Sequence, residues 1–187
     1  MVSALVHTGA QQTYDEDVVY VERASKGDDT AFEHLYAKYF DRIVAVARGV
    51  LLRSDEAADV AQEVFTLAYR HLPRFDRRCR FSTWLFRIAV NRSIQEARKG
   101  KNRWRFVELN EALAKSAAED QRVDPRIYRA LVKMRPADRA ILTLSYWENF
   151  TLQQIADNLN CSPNAAKTRL YRARERFREI YEELQKR

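Results

Sequence analysis

The chain has 187 residues, 46% of them apolar, which is enough for one domain or two small ones and too many for wholesale disorder. Only 4 glycines and 4 prolines argue against turn-rich β architectures, and 2 cysteines make neither a disulfide framework nor a zinc finger. The formal charge of +7 is unevenly spread: residues 1–69 carry 6 basic and 12 acidic side chains, residues 70–105 carry 12 and 2, residues 106–160 carry 7 and 8, and residues 161–187 carry 8 and 4.

Residues 1–16 read as a flexible tail without the basic start and apolar run of an export signal. Val18, Val19 and Val21 open a short helix that stops at Gly27. Thr30-Ala31-Phe32-Glu33 has the form of a capping box. Behind it Phe32, Leu35, Tyr36, Tyr39, Ile43, Val46 and Val50 recur every three or four residues, one apolar stripe on a long helix. Ser54 is placed to cap the next helix, which carries Ala57, Val60, Ala61, Val64 and Ala68 inward and ends at Pro73. An arginine-rich loop follows over 73–81, then a helix capped by Ser82 or Thr83 and closed by Gly100.

Residues 100–124 show weak periodicity and mixed charge, as a linker does. Asp124-Pro125 is a cap followed by proline at the first helical position, and Arg135-Pro136 starts a further helix. Thr151-Leu152-Gln153-Gln154 forms a second capping box, with Ile155, Ala156 and Leu159 on one side of its helix. Asn160-Cys161 makes a tight turn, Ser162 caps and Pro163 starts the last helix, with Ala166, Leu170 and Phe177 inward. Its outward residues are Asn164, Lys167, Thr168, Tyr171, Arg172 and Arg174. Short helix, turn and basic second helix form a helix-turn-helix signature whose first residues can meet base edges in a major groove. A purely structural helical hairpin would share the pattern. The expected fold is therefore all-α: two small helical domains, 17–99 and 125–187, joined by a linker over 100–124.

Two basic stretches on one short chain suggest a polyanion touched at two places, the alternative being solvated helix faces. Aromatics interleave with the first stretch and can stack on unpaired bases, although Trp84, at helical spacing with Leu85 and Ile88, reads as core. The three histidines, His7, His34 and His71, are too scattered for a metal site, and no phosphate-cradling glycine loop or nucleophile motif is present. No enzymatic chemistry, metal or cofactor is expected. No stretch is apolar enough to cross a bilayer, so a cytoplasmic location is expected.

Asp59-Val60-Ala61-Gln62-Glu63-Val64-Phe65, Ala68-Tyr69-Arg70 and Phe81-Ser82-Thr83-Trp84-Leu85-Phe86-Arg87-Ile88-Ala89-Val90-Asn91 resemble domain two of the extracytoplasmic-function group of bacterial RNA polymerase sigma factors. Met134-Arg135-Pro136, Thr151 to Leu159 and Lys167-Thr168-Arg169-Leu170-Tyr171-Arg172-Ala173-Arg174 resemble domain four. The resemblance implies a transcription initiation factor that binds core RNA polymerase and promoter DNA, both as duplex and as melted single strand. Asp59, Gln62 and Glu63 match the face that docks on core polymerase, with local pairing to arginines as the plainer alternative. Phe75, Arg77, Arg78, Arg80, Phe81, Arg87, Asn91 and Arg98 fall in the part that binds the melted minus-ten element, Asn91 matching the amide that contacts an extruded base. Lys167, Thr168, Tyr171 and Arg172 match the minus-thirty-five contacts, and Asn164 and Arg174 share their face. Family members often read Pro-x-Gly-Thr-Val where this chain has Ser162-Pro163-Asn164-Ala165-Ala166, so a threonine contact is lost at Ala165 and the promoter sequence does not carry over. Cys79 inside the base-capturing loop reads as a passive thiol. An anti-sigma factor is an expected regulator. The competing readings are a stand-alone helix-turn-helix regulator, which leaves residues 59–91 idle, and a sigma-mimicking anti-sigma-binding protein, which has no need of the basic loop.

Overall fold

The computed structural model describes residues 16–103 and 124–186; among them every regular element is helical. Helix α1 (Asp17–Ser25) turns at Gly27, whose φ of 91° is open to glycine and costly for other residues. Helix α2 (Asp29–Leu51) is capped by Asp28, which accepts from the Ala31 N–H at 3.2 Å. The expected box at Thr30 is thus corrected by two residues. The Thr30 hydroxyl donates to Asp28 instead, Arg23 Nε donates to the same carboxylate at 2.8 Å, and an ionised acceptor with three donors outcompetes a hydroxyl. The bonds from Thr30 and Arg23 and the Ala31 N–H hold the Asp28 carboxyl at about 2.

Helix α3 (Ser54–His71) begins at Ser54 itself, with Arg53 in the cap position and its guanidinium 2.5 Å from Glu56. A 3-10 turn (Leu72–Arg74) carries Pro73 and leads to the loop, and helix α4 (Phe81–Arg103) follows. Ser82 and Thr83 therefore lie inside α4 and not at its cap. The helix also runs through Gly100 to Arg103. A lone glycine costs a helix interior about 1 kcal/mol, which weakens but does not end it.

In the second half, α5 (Pro125–Lys133) is capped by Asp124, and α6 (Pro136–Tyr146) starts on its proline. Both halves of the capping box form at α7 (Leu152–Asn158): Gln154 N–H donates to Thr151 Oγ1 and Thr151 N–H to Gln154 Oε1. Asn160 turns the chain at φ 49°, and Ser162 caps α8 (Pro163–Gln185) through the Ala165 N–H.

Helix α2 is the hub. Helices α1, α3 and α4 pack on it from the first half and α6 from the second. Leu35, Ile43, Leu85 and Phe86 fill the first core, Met134, Ile141, Leu144 and Ile155 the second, and the buried residues form one continuous cluster. The seam between halves is specific. Arg42 Nη2 reaches Glu148 at 2.7 Å, and Phe86 meets Phe150 edge-on at 5.1 Å. Tyr128 donates to the Leu52 carbonyl at 3.2 Å. Arg139, 7% exposed, donates from Nε to the Val50 carbonyl and from Nη1 to the carbonyls of Leu131 and Met134. One guanidinium thereby satisfies orphan carbonyls at the ends of both α2 and α5. Burial pulls Arg139 down to about 10, so it remains charged at neutral pH.

Candidate nucleic-acid interface

The arginine-rich loop leaves the 3-10 turn through the Phe75 N–H, which donates to the Leu72 carbonyl, and passes through Arg77 at φ 58°. This left-handed residue turns the loop outward, so Arg77, Arg78 and Arg80 are exposed. Arg78 is tied to Asp76 at 3.0 Å. Behind them three mutually tilted rings cluster: Phe75 lies 4.9 Å from Trp84, and Phe81 lies 5.8 Å from Trp84. Phe75 and Trp84 are half-buried, whereas Phe81 is 2% exposed. Phe81 is a correction. As the first residue of α4 it packs on Tyr39 within the core, and stacking on a base would require withdrawing it. Trp84 bridges core and surface.

Along α4, Asn91 and Arg98 are exposed on the face expected for them. Arg87 is half-buried and donates from Nη2 to the Asp157 carbonyl, while its buried Nε has no partner among the described residues. A cleft of about 870 Å³ opens there. Arg74, Phe75, Arg78, Arg80, Trp84 and Arg87 line one side, and Thr151, Gln153, Gln154 and Asp157 the other. Positive charge beside half-exposed rings is the chemistry that holds an unpaired nucleotide. Cys79 borders this cleft, and burial pushes its thiol up, away from the reactive thiolate.

On α3, Asp59, Gln62 and Glu63 are exposed. Glu63 pairs with Arg92 of α4. Beside them Phe32, Tyr36, Phe65 and Tyr69 line a shallow groove of about 420 Å³. Tyr69 donates to Asp29 at 2.8 Å, and that bond raises its hydroxyl above the usual range. Gln62 and Arg70 also line this groove, and the exposed carboxylates of Asp59 and Glu63 on the same helix suit a basic partner surface.

In the helix-turn-helix, Ala166, Leu170 and Ala173 are buried against α7 and α6, which leaves Asn164, Lys167, Thr168, Tyr171, Arg172 and Arg174 exposed on one long face. Thr168 returns its hydroxyl to the Asn164 carbonyl at 2.9 Å, and Arg174 lies over the Tyr146 ring at 5.3 Å. Ala165, where the family pattern has threonine, keeps its N–H on the Ser162 cap. Sequence reasoning misses Arg74, which needs the folded cleft to be seen, and Arg139, whose only signal is a charge on an otherwise apolar stripe with Ala140, Thr143 and Leu144.

Comparison with known proteins matches both halves of the chain to one family. The family model for Sigma-70 region 2 matches residues 35–104, and that for Sigma-70, region 4 matches residues 125–177. The ECF RNA polymerase sigma factor SigW of Bacillus subtilis is 29% identical over 179 residues, covering 88% of this chain and 96% of that protein. The ECF RNA polymerase sigma-E factor of Escherichia coli K12 is 28% identical over 176 residues, covering 85% and 91%. In fold the chain is similar to CnrH, solved with the cytosolic domain of CnrY, with a TM-score of 0.67 and 24% identity over 89% of this chain and 97% of that one. It is also similar to RpoE of Bartonella quintana, solved with the anti-sigma factor NepR, with a TM-score of 0.59 and 19% identity over 81% and 96%. Two sigma regions in order, with extracytoplasmic-function sigma factors matched over most of both chains, place the chain in that group of the sigma-70 family.

Proposed function

We propose a division of labour within this transcription initiation factor, which binds core RNA polymerase and directs it to promoters. Residues 17–99 form the unit that grips polymerase through Asp59, Gln62 and Glu63. The same unit holds the melted minus-ten strand through Phe75, Arg77, Arg78, Arg80, Arg87, Asn91 and Arg98. Residues 125–187 form the unit that reads the minus-thirty-five duplex through Asn164, Lys167, Thr168, Tyr171, Arg172 and Arg174, and residues 100–124 connect the two.

The observation that carries this reading is the pairing of two different nucleic-acid chemistries on one chain. The cleft at α4 combines cations with half-exposed rings, suited to a base out of its stack, whereas α8 presents a ringed but mainly polar and cationic face suited to a groove. Flipping a base costs a few kcal/mol, which stacking and edge hydrogen bonds at the cleft must offset. Bond formation belongs to the polymerase, so the chain itself is not an enzyme, and it acts in the cytoplasm. Among the described residues no helix is long and apolar enough to cross a membrane. An anti-sigma factor is a further partner, in line with the fold shared with RpoE, which was solved with the anti-sigma factor NepR.

Run-off transcription with purified core polymerase on genomic fragments tests the reading. New start sites that depend on this chain are expected, and their alignment yields the promoter motif. Tight binding of promoter duplex by the chain alone, with no redirected initiation, would favour the stand-alone regulator instead.

A further inference from the structure

The arginine-rich loop borders the cleft at α4 and, with α1, a second hollow of about 300 Å³. Val18 and Val21 of α1 line this hollow together with the rings of Phe75 and Phe81, and the exposed Arg77 and Arg80 reach it from the loop. Every lining residue falls between 18 and 81, so the hollow belongs to the first half alone. Helix α1 is a fixed wall. Its first residue, Asp17, is 2% exposed and accepts from Lys38 Nζ at 2.7 Å and from the Tyr39 hydroxyl, both on α2. The helix also packs on the 3-10 turn that leads into the loop. Val21 is buried, whereas Val18, one turn before it, is 46% exposed and leaves apolar surface uncovered beside the hollow.

The size suits a single base, at the lower end of the roughly 300–1,000 Å³ typical of small-ligand sites. The chemistry narrows the choice of base. The remaining lining is Cys79 and Arg78, the latter tied to Asp76, so the walls offer donors and apolar groups but no carboxylate, amide or hydroxyl. The exocyclic amine of cytosine, adenine or guanine would find no strong side-chain acceptor there, and a donor left unpaired is costly. Thymine presents carbonyl oxygens, which guanidinium N–H groups satisfy, and a methyl group, which branched apolar side chains cover.

We propose that the hollow between α1 and the loop is a second base subsite, which takes one unstacked thymine with its methyl group against Val18 and its carbonyl oxygens towards Arg77 and Arg80. This inference rests on the reading of the first half as the unit that holds a single strand, and it adds α1 to that unit. Phe75 borders both spaces, so a strand crossing the loop leaves one base in the cleft at α4 and another in the subsite at α1. The loop cations then meet the phosphates between the two bases. Val18 becomes a specificity-determining residue, since its branched side chain is what distinguishes a methylated pyrimidine from an unmethylated one.

The test uses the full chain and two fluorescein-labelled dodecamers, one of deoxythymidine and one of deoxyuridine, which differ only in the methyl group of each base. Wild type should bind the thymidine strand about fourfold more tightly, the worth of one buried methyl group. Val18→Ala should bring that ratio close to one while leaving the deoxyuridine affinity unchanged, and Val18→Ile should keep the ratio. Trp84→Ala, on the other side of the loop, should weaken both strands alike. Val18 is half exposed, so its variants should keep the wild-type circular dichroism spectrum and melting temperature. Equal binding of the two strands by wild type, or binding of neither, would overturn the subsite. So would a ratio that survives Val18→Ala and disappears in Trp84→Ala, which would give the methyl group to the cleft at α4. Failure of wild type in run-off transcription, with a Val18-dependent ratio intact, would remove the promoter reading and leave the subsite standing.

Discussion

Asn91 lies one helical turn beyond Arg87 on the exposed side of α4, where an amide can offer both a donor and an acceptor to a base edge. Asn91→Ala should weaken the open complex by about 0.5–1.5 kcal/mol for each hydrogen bond lost, read as reduced permanganate reactivity of melted thymines. Core polymerase should still co-elute with the variant, because the substitution leaves Asp59, Gln62 and Glu63 on α3 and the Glu63–Arg92 pair in place. Arg172, the tenth residue of α8, is exposed and has the planar fork that reads guanine. Arg172→Ala should cost about 1–3 kcal/mol on a cognate minus-thirty-five duplex and much less on a scrambled one. Equal losses on both duplexes would make it a phosphate contact.

Single helices depend on their ends. Helix α7 has only 7 residues, so its reciprocal cap is a large part of what holds it. Thr151→Ala should lower stability by about 1 kcal/mol, visible as a lower melting temperature. Helix α5 is tied down by Asp124, whose carboxylate accepts from the Arg126 guanidinium and N–H and from the Tyr181 hydroxyl of α8, and these hold it at about 2. Because the folded value is below the ordinary 3.8, this stabilisation is complete above about pH 4 and disappears as pH falls through about 2. Asp124→Asn should therefore be less stable than wild type at neutral pH, with the gap closing in acid titrations monitored by circular dichroism. Such caps are legible in sequence because all their atoms belong to neighbouring residues, as at Asp124-Pro125, Thr151–Gln154 and Ser162-Pro163. Two of the misreadings have the opposite cause. Thr30 yields to Asp28 because Arg23 arrives from the preceding helix, and Phe81 looks like loop until Tyr39 and Trp84 surround it. The exposed faces of α3, α4 and α8 follow from periodicity, whereas the wall that α7 builds over the cleft depends on contacts 70 residues apart.

At the level of the whole molecule, the two halves share one buried cluster, with Arg139 bridging the ends of α2 and α5. Gly49 of α2 lies against Thr143 of α6 with no room for a Cβ. Wild type should accordingly melt in a single calorimetric transition, and Gly49→Leu in two, since each half keeps a core of its own. A single transition in both chains would mean that the halves are not energetically joined at that crossing. Gly49 has a practical corollary for anyone seeking a hardier version of the protein. A glycine inside a helix of 23 residues is the first position a heat-resistance screen would alter, because alanine there firms an isolated helix by about 0.5–1 kcal/mol. Selection on the N-terminal fragment alone would reward that change, and in the intact protein the same methyl group would meet the Thr143 hydroxyl at 2.5 Å. What firms the isolated helix would crowd the joined halves.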